Sequence, residues 1–256
     1  MFESKKFTFK SHIGHDLSAI LEYPAGEITS YALYAHCFSC SKEISAAVRV
    51  SRALATLGIG TMRFDFSGIG MSDGAFEHTT FTTNIKELYD AADYMRTHYQ
   101  APSLLVGHSL GGTAVLGAAR DMPEVRAVAT LGAPSDPDHV QHLFAQDVER
   151  ICKLGQADVQ FGPRTLTIGK EFIDDIESFE LPERIKTMGK PLLILHAPTD
   201  KIVGIENAKE IYDIAKHPKS FISLDGANHL LSEKSDAEYA AKLIAAWSSK
   251  YVKTKN

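Results

Sequence analysis

Long apolar runs, cysteine and surplus basic charge are all scarce in this chain, and each scarcity removes a class of proteins. No stretch of about eighteen uninterrupted apolar residues exists, so no segment reads as a membrane-spanning helix. The opening Met1-Phe2-Glu3-Ser4-Lys5-Lys6-Phe7 lacks the apolar run of a secretory signal, and the expected location is cytoplasmic. Three cysteines in 256 residues, Cys37, Cys40 and Cys152, are an odd number and too few for a disulfide scaffold, which agrees with a reducing compartment. With 27 Lys and Arg against 32 Asp and Glu, the net charge of −5 offers no general attraction to nucleic acid. Internal repeats and low-complexity segments are absent. Gly68-Ile69-Gly70 lacks a third glycine at dinucleotide spacing and the Gly-Lys-Ser/Thr of a phosphate-binding loop, so it reads as a tight strand-to-helix connection.

What is present is ordinary globular material, 44% hydrophobic and 23% charged, enough to bury a large core in one domain with an insertion. Short apolar, β-branched runs alternate with helical patterns, which predicts an α/β fold built of βα units around a mostly parallel central sheet flanked by helices. An opening hairpin is expected from 6–10 and 19–23. Strands follow at 31–35, 60–66, 103–107, 125–131, 191–196 and 220–224, with helices at 43–57, 84–99, 111–120, 205–214 and 237–251. Between 134 and 190 the alternation lapses into a helix-like 138–153, a hairpin-like 157–168 broken at Gly162-Pro163, and a helix-like 171–179. This segment reads as a cap or lid laid over the sheet.

Gly107-His108-Ser109-Leu110-Gly111 matches G-x-S-x-G at the junction of an apolar strand and a helix, the setting in which that motif presents a nucleophilic serine. A serine hydroxyl needs a base at neutral pH. Of eleven histidines, His229 lies in the turn after the last predicted strand and before the final helix. The imidazole in turn needs a carboxylate to set its tautomer, and Asp200 sits just past the strand 191–196, at the sheet edge where parallel folds present their loops. The order Ser109, Asp200, His229 is that of α/β hydrolases. Asp225 is a rival acid, but it stands four residues from His229 and suits a turn-shaping role better.

Acyl transfer also needs two N–H groups aimed at the developing oxyanion. Leu110, after the nucleophile, supplies one. The other is expected from the loop His36-Cys37-Phe38-Ser39-Cys40-Ser41-Lys42-Glu43. This loop resembles its counterpart in the α/β-hydrolase half of bifunctional hydrolase/OsmC-like proteins, as do Arg63-Phe64-Asp65-Phe66-Ser67-Gly68-Ile69-Gly70-Met71-Ser72-Asp73-Gly74, the elbow, Thr130-Leu131-Gly132-Ala133-Pro134 and Leu224-Asp225-Gly226-Ala227-Asn228-His229-Leu230-Leu231. The resemblance spans nearly the whole chain. It implies an α/β-hydrolase fold, a serine esterase acting on small to medium acyl esters without a cofactor, and an OsmC-like partner or fused domain. Many hydrolases have His-Gly-x in this loop, with the N–H of x in the oxyanion hole; by that alignment Phe38 is the second donor and Cys37 replaces the glycine.

Cys37 and Cys40 form a C-x-x-C, but no second ligand pair accompanies them, so a structural role is the expectation and redox sensing the alternative. His139 and His142 share one face of a predicted helix without a carboxylate to complete a metal set, and read as lid or surface residues. The chemistry expected is ester hydrolysis through an acyl-enzyme on Ser109. Thioester hydrolysis, acyl transfer and carbon–carbon hydrolysis use the same triad, and a noncatalytic redox-sensing module is the rival of another class.

Overall fold

In a computed structural model, which describes residues 1–252, β1 (Phe2–Lys10) and β2 (Asp16–Pro24) form the expected hairpin. The chain continues through β3 (Ser30–Ala35), α1 (Ser45–Thr56), β4 (Ile59–Phe64), α2 (Phe81–His98), β5 (Leu104–His108), α3 (Leu110–Ala118) and β6 (Ala127–Leu131). A 3₁₀ segment (Pro137–Phe144), α4 (Val148–Leu154), the hairpin β7 (Gln156–Phe161) and β8 (Arg164–Gly169), α5 (Lys170–Ser178) and α6 (Leu181–Thr187) come next. β9 (Leu192–His196), α7 (Glu206–Ile214), β10 (Lys219–Ser223) and α8 (Lys234–Val252) follow. The central sheet has the order β1-β2-β4-β3-β5-β6-β9-β10 and is parallel from β4 to β10. Among the described residues no helix is long and apolar enough to cross a membrane.

Every residue of β5, β6 and β9 is buried, because helices cover both faces, and a strand covered on both faces carries a continuous apolar run. Alternate side chains feed two cores. Leu33, Leu105, Val128 and Ile194 pack toward α2, α3 and α5, whereas Tyr34, Leu104, Val106, Ala129 and Leu193 pack toward α1 and α8. The small residues of α3 are all buried, which lets that helix lie close on the sheet.

Two expectations are corrected. The single helix 138–153 is split, since the 3₁₀ segment ends at Phe144 and Asp147 N–H turns back to the Phe144 carbonyl before α4 begins. The second is that the stretch after 179, to which no element is assigned from sequence, holds α6, with Pro182 in its first turn, where proline is tolerated.

Below the sheet's edge, four charged side chains are buried together. Arg63 donates from Nη1 to Glu22 Oε1 at 2.9 Å and from Nε to the Lys42 carbonyl at 2.8 Å, while Lys42 Nζ meets Asp65 Oδ2 at 2.6 Å. These bonds tie β2 and β4 to the loop between β3 and α1. Replacing Arg63 by Met leaves Glu22 with only the half-exposed Arg52, at 3.2 Å, as counter-charge. The expected cost is about 3 kcal/mol, because removing one partner strands a buried charge. Urea denaturation of R63M checks this; a loss below about 1 kcal/mol would show that the pair is dispensable.

Asp136 accepts a hydrogen bond from Asp138 N–H at 3.2 Å and starts the 3₁₀ segment. Burial, with the carboxylates of Asp138 and Glu180 nearby, pushes its carboxyl up to about 6. A pKa raised on folding favours the protonated fold, so its contribution is complete below the unfolded value of about 3.9 and is lost as pH rises through about 6. Asp136→Asn keeps a capping oxygen and removes the charge. Its Tm should match that of the parent near pH 4 and exceed it above about pH 6, and a difference constant across that range would refute the assignment.

Candidate active site

The strand β5 ends in a reversal at Ser109, whose backbone lies at φ 55°, ψ −129° before α3 begins. A non-glycine residue there is strained by roughly 1–3 kcal/mol, and the surroundings must over-determine it. They do so by contact: a Cβ on Gly107 would stand 2.3 Å from the Gly111 carbonyl oxygen, and one on Gly111 would stand 2.4 Å from those of Ala35 and His36. Ser109 N–H also donates to the Leu131 carbonyl at 2.9 Å, holding the elbow to β6.

The three residues expected from spacing meet here. His229 Nε2 lies 3.0 Å from Ser109 Oγ, and His229 Nδ1 lies 2.7 Å from Asp200 Oδ2. The second carboxylate oxygen of Asp200 accepts N–H bonds from Ile202 at 2.9 Å and Val203 at 3.0 Å. Burial pushes the Asp200 carboxyl upward, but the hydrogen bond from His229 and those from the Val203 and Ile202 amides outweigh it and hold the group below its ordinary value. An ionised Asp200 keeps the proton on Nδ1 and leaves Nε2 free to accept from the serine hydroxyl. Gly132, at φ 54°, backs this pair, where a Cβ would come within 3.3 Å of both the carboxylate and the imidazole. Asp225 is outside the constellation and accepts from the Ser223 hydroxyl instead.

Three buried histidines that the sequence reading gave no role surround the site. His108 Nε2–H donates to the carbonyl of His229 at 2.7 Å, and His196 Nε2–H donates to the carbonyl of Val203 at 2.8 Å. His36 Nδ1–H donates to the Cys37 carbonyl at 2.8 Å and its Nε2 accepts from Phe66 N–H at 3.4 Å. Burial lowers all three pKa values, that of His108 to about 4, so these rings are neutral clamps. His196 lies 3.7 Å from Asp200 but, being neutral, forms no ion pair with it. The signal was there to find: a histidine closing an otherwise apolar strand, as at 108 and 196, must have a partner in the interior.

Leu110 opens α3, and Phe38 lies in the loop between β3 and α1; among the described residues neither N–H is taken by another protein group. The loop is anchored at one end by His36 and at the other by Asp65, which accepts Lys42 N–H at 2.6 Å. Within it Cys37 and Cys40 are joined by a disulfide. The expectation of reduced thiols, drawn from cysteine number, is corrected. Cysteine arithmetic addresses staples between distant elements, whereas a turn bringing two Cα atoms to 5.4 Å pairs them locally.

Ser109 opens onto a cleft of about 210 Å³ walled by Phe38, Val140, Leu143, Ile202 and Leu230, mostly apolar. Val140 and Leu143 come from the 3₁₀ segment, as do His139 and His142, which also line the cleft. The Phe38 ring packs against Phe76 and, from 134–190, against Phe144, Phe161 and Phe172.

The family model described as serine aminopeptidase, S33, matches residues 41–156, which include Ser109 but neither Asp200 nor His229. Palmitoyl-protein thioesterase ABHD10, mitochondrial, of Homo sapiens is 28% identical over 200 residues, 75% of this chain and 64% of its own length. Lysophosphatidylserine lipase ABHD12 of Danio rerio is 27% identical over 194 residues, covering 73% of this chain and 48% of its own length. The chain thus spans less than two thirds of the curated relatives it matches. Among solved structures, Est1E of Butyrivibrio proteoclasticus with ferulic acid bound shares the fold at 20% identity, with TM-score 0.77 over 94% of this chain and 98% of that one. The esterase domain of a Rhodothermus marinus protein is 43% identical, with TM-score 0.80 over 97% of this chain and 99% of that one. At that identity across nearly the full length of both, and with the sheet and elbow described above, the chain belongs to the α/β-hydrolase family.

Proposed function

We propose that the protein is a serine carboxylesterase that cleaves esters of small to medium acyl groups through an acyl-enzyme on Ser109. The observation that carries this reading is the unbroken hydrogen-bonded chain Ser109–His229–Asp200 opening into an apolar cleft. In the first half-reaction His229 Nε2 takes the hydroxyl proton as Oγ attacks the ester carbonyl, and the N–H groups of Leu110 and Phe38 stabilise the oxyanion. The imidazolium, stabilised by Asp200, then protonates the departing alcohol. Water, deprotonated by the same imidazole, releases the acid and restores the serine. The segment 134–190, through Val140 and Leu143, acts as the cap that shapes the acyl side of the cleft.

Thioester hydrolysis is the second reading. It is favoured by the name of the ABHD10 relatives and needs no change in the machinery, since a thiolate leaves more readily than an alkoxide. Paired oxygen-ester and thioester series of equal acyl length, assayed with the parent and with Ser109→Ala, test both. The parent should turn over esters, and S109A should lose about ten-thousand-fold or more in kcat. A kcat/KM higher on thioesters at every length would give the second reading precedence, and activity retained in S109A would exclude both.

His108 positions the base through the His229 carbonyl. Loss of one buried hydrogen bond of about 1.4 kcal/mol corresponds to about tenfold. His108→Leu should therefore lower kcat about tenfold with KM little changed, while His108→Gln, whose amide N–H reaches a similar place, should restore most of it. Equal kcat in the two folded variants would remove this role.

A further inference from the structure

The Cys37–Cys40 bond takes no part in the hydrolysis just described, yet it encloses the residue on which the second oxyanion contact rests. The four-residue turn Cys37-Phe38-Ser39-Cys40 has one internal backbone hydrogen bond, Cys40 N–H to the Cys37 carbonyl at 3.2 Å. Its third residue, Ser39, is held at φ 55°, the left-handed region that a side chain disfavours by roughly 1–2 kcal/mol. Outside the turn the loop is fixed firmly, by His36 before it and by Lys42 on the buried Asp65 after it. Arg164 Nη1, from β8, donates to the Ser39 carbonyl at 3.2 Å from an exposed position. The phenylalanine rings around Phe38 fix its side chain; they do not set the plane of the Cys37–Phe38 peptide, which carries the N–H. The carbonyl of that peptide is held from outside the turn by His36 Nδ1–H at 2.8 Å and from inside it by Cys40 N–H at 3.2 Å, and the second of these bonds is kept in place by the closed ring.

We propose that the Cys37–Cys40 disulfide is a positioning element for the Phe38 N–H, so that reducing it switches off turnover at Ser109 while leaving substrate binding in place. This rests on the hydrolase reading above. Both cysteines line the cleft that contains Ser109, so a small reductant has the same route in as substrate. Cys40 is the less buried of the two, and its sulfur is the point of attack. A dithiol reductant forms a mixed disulfide with Cys40 as the S–S bond breaks and Cys37 leaves as thiolate and is protonated. The reductant's second thiol then displaces Cys40, leaving two protein thiols and one oxidised, cyclised reductant. With the ring open, Ser39 relaxes from the left-handed region, Cys40 N–H leaves the Cys37 carbonyl, and the Phe38 peptide, held by His36 alone, tilts away from the oxyanion. The substrate, bound mainly by the apolar walls, still enters.

The test compares the purified protein before and after dithiothreitol, removed by desalting, with thiols counted under denaturing conditions. Before treatment one thiol is expected, Cys152, and three afterwards. On p-nitrophenyl butyrate, kcat should fall at least about tenfold on reduction with KM within about twofold, since one oxyanion donor contributes about a hundredfold or more. Reoxidation should restore it. Cys152→Ser should respond as the parent does, and the double variant Cys37→Ser, Cys40→Ser should have the low kcat with or without reductant, with an unchanged circular dichroism spectrum. Three thiols before treatment, unchanged kcat with three thiols after it, or full activity in the folded double variant would each overturn the proposal. No turnover by the one-thiol protein would overturn the hydrolase reading itself, and the proposal with it.

Discussion

The hydrogen-bond ladder at the carboxyl edge of the parallel strands is the constraint on which the site depends. It does not stop where the strands stop. Ser109 N–H bonds to the Leu131 carbonyl, Gly132 N–H to that of Leu195, and Leu224 N–H to that of His196, each at 2.9 Å. These bonds link the ends of β5, β6, β9 and β10 in sequence and set the starting points of the loops that follow, which the His108 and His196 rings then hold. Ser109 follows β5, Asp200 follows β9 and His229 follows β10. Ser109 and His229, 120 positions apart, thereby come within hydrogen-bond distance, with the His108 ring fixing the last step through the His229 carbonyl.

The histidines packed around His229 are held neutral by burial. His229 has one carboxylate beside it, that of Asp200 at 2.7 Å, and a cation nearby would oppose any positive charge on its ring. His108, His196 and His36 supply hydrogen bonds at close quarters, with the His108 and His229 ring centres only 5.2 Å apart. Because burial lowers their pKa values, they donate as neutral rings. Asparagine or glutamine could donate as well; histidine offers a rigid ring that fills the space beneath the loops.

What could be read from sequence follows the same division. The buried strands and the order Ser109, Asp200, His229 were readable because continuous apolar runs and the residues just past them carry a local signature. The segment 134–190 was read less well. Its 3₁₀ segment and α6 are short, and too few turns repeat for an apolar period to declare itself, so one helix was expected where two elements occur and another was missed. The pairing of Cys37 with Cys40 was unreadable for a different reason: spacing of three residues suits a metal pair, a redox pair or an unbonded pair equally, and only the turn geometry decides. The burial of His108 and His196 is legible in the apolar strands they close, but which carbonyls they bond is set by loops far along the chain, which no local pattern encodes.

The two halves of the site therefore rest on different physics. Serine, acid and base stand on the sheet's own ladder, so they persist for as long as the sheet does. The loop bearing Phe38 leaves β3 and joins no neighbouring strand; it is held by an imidazole, a buried lysine–aspartate pair and a covalent ring. The lysine–aspartate anchor is part of the buried charge cluster with Arg63 and Glu22, so this loop is tied to the packing of β2 and β4 as well as to its own disulfide. A glycine at 37 would leave the turn to its hydrogen bonds from His36 and Arg164, and a left-handed Ser39 would then have no covalent restraint. Ser109, Asp200 and His229 thus follow from the ends of the sheet's strands, whereas the position of the Phe38 loop depends on its side-chain anchors and its disulfide.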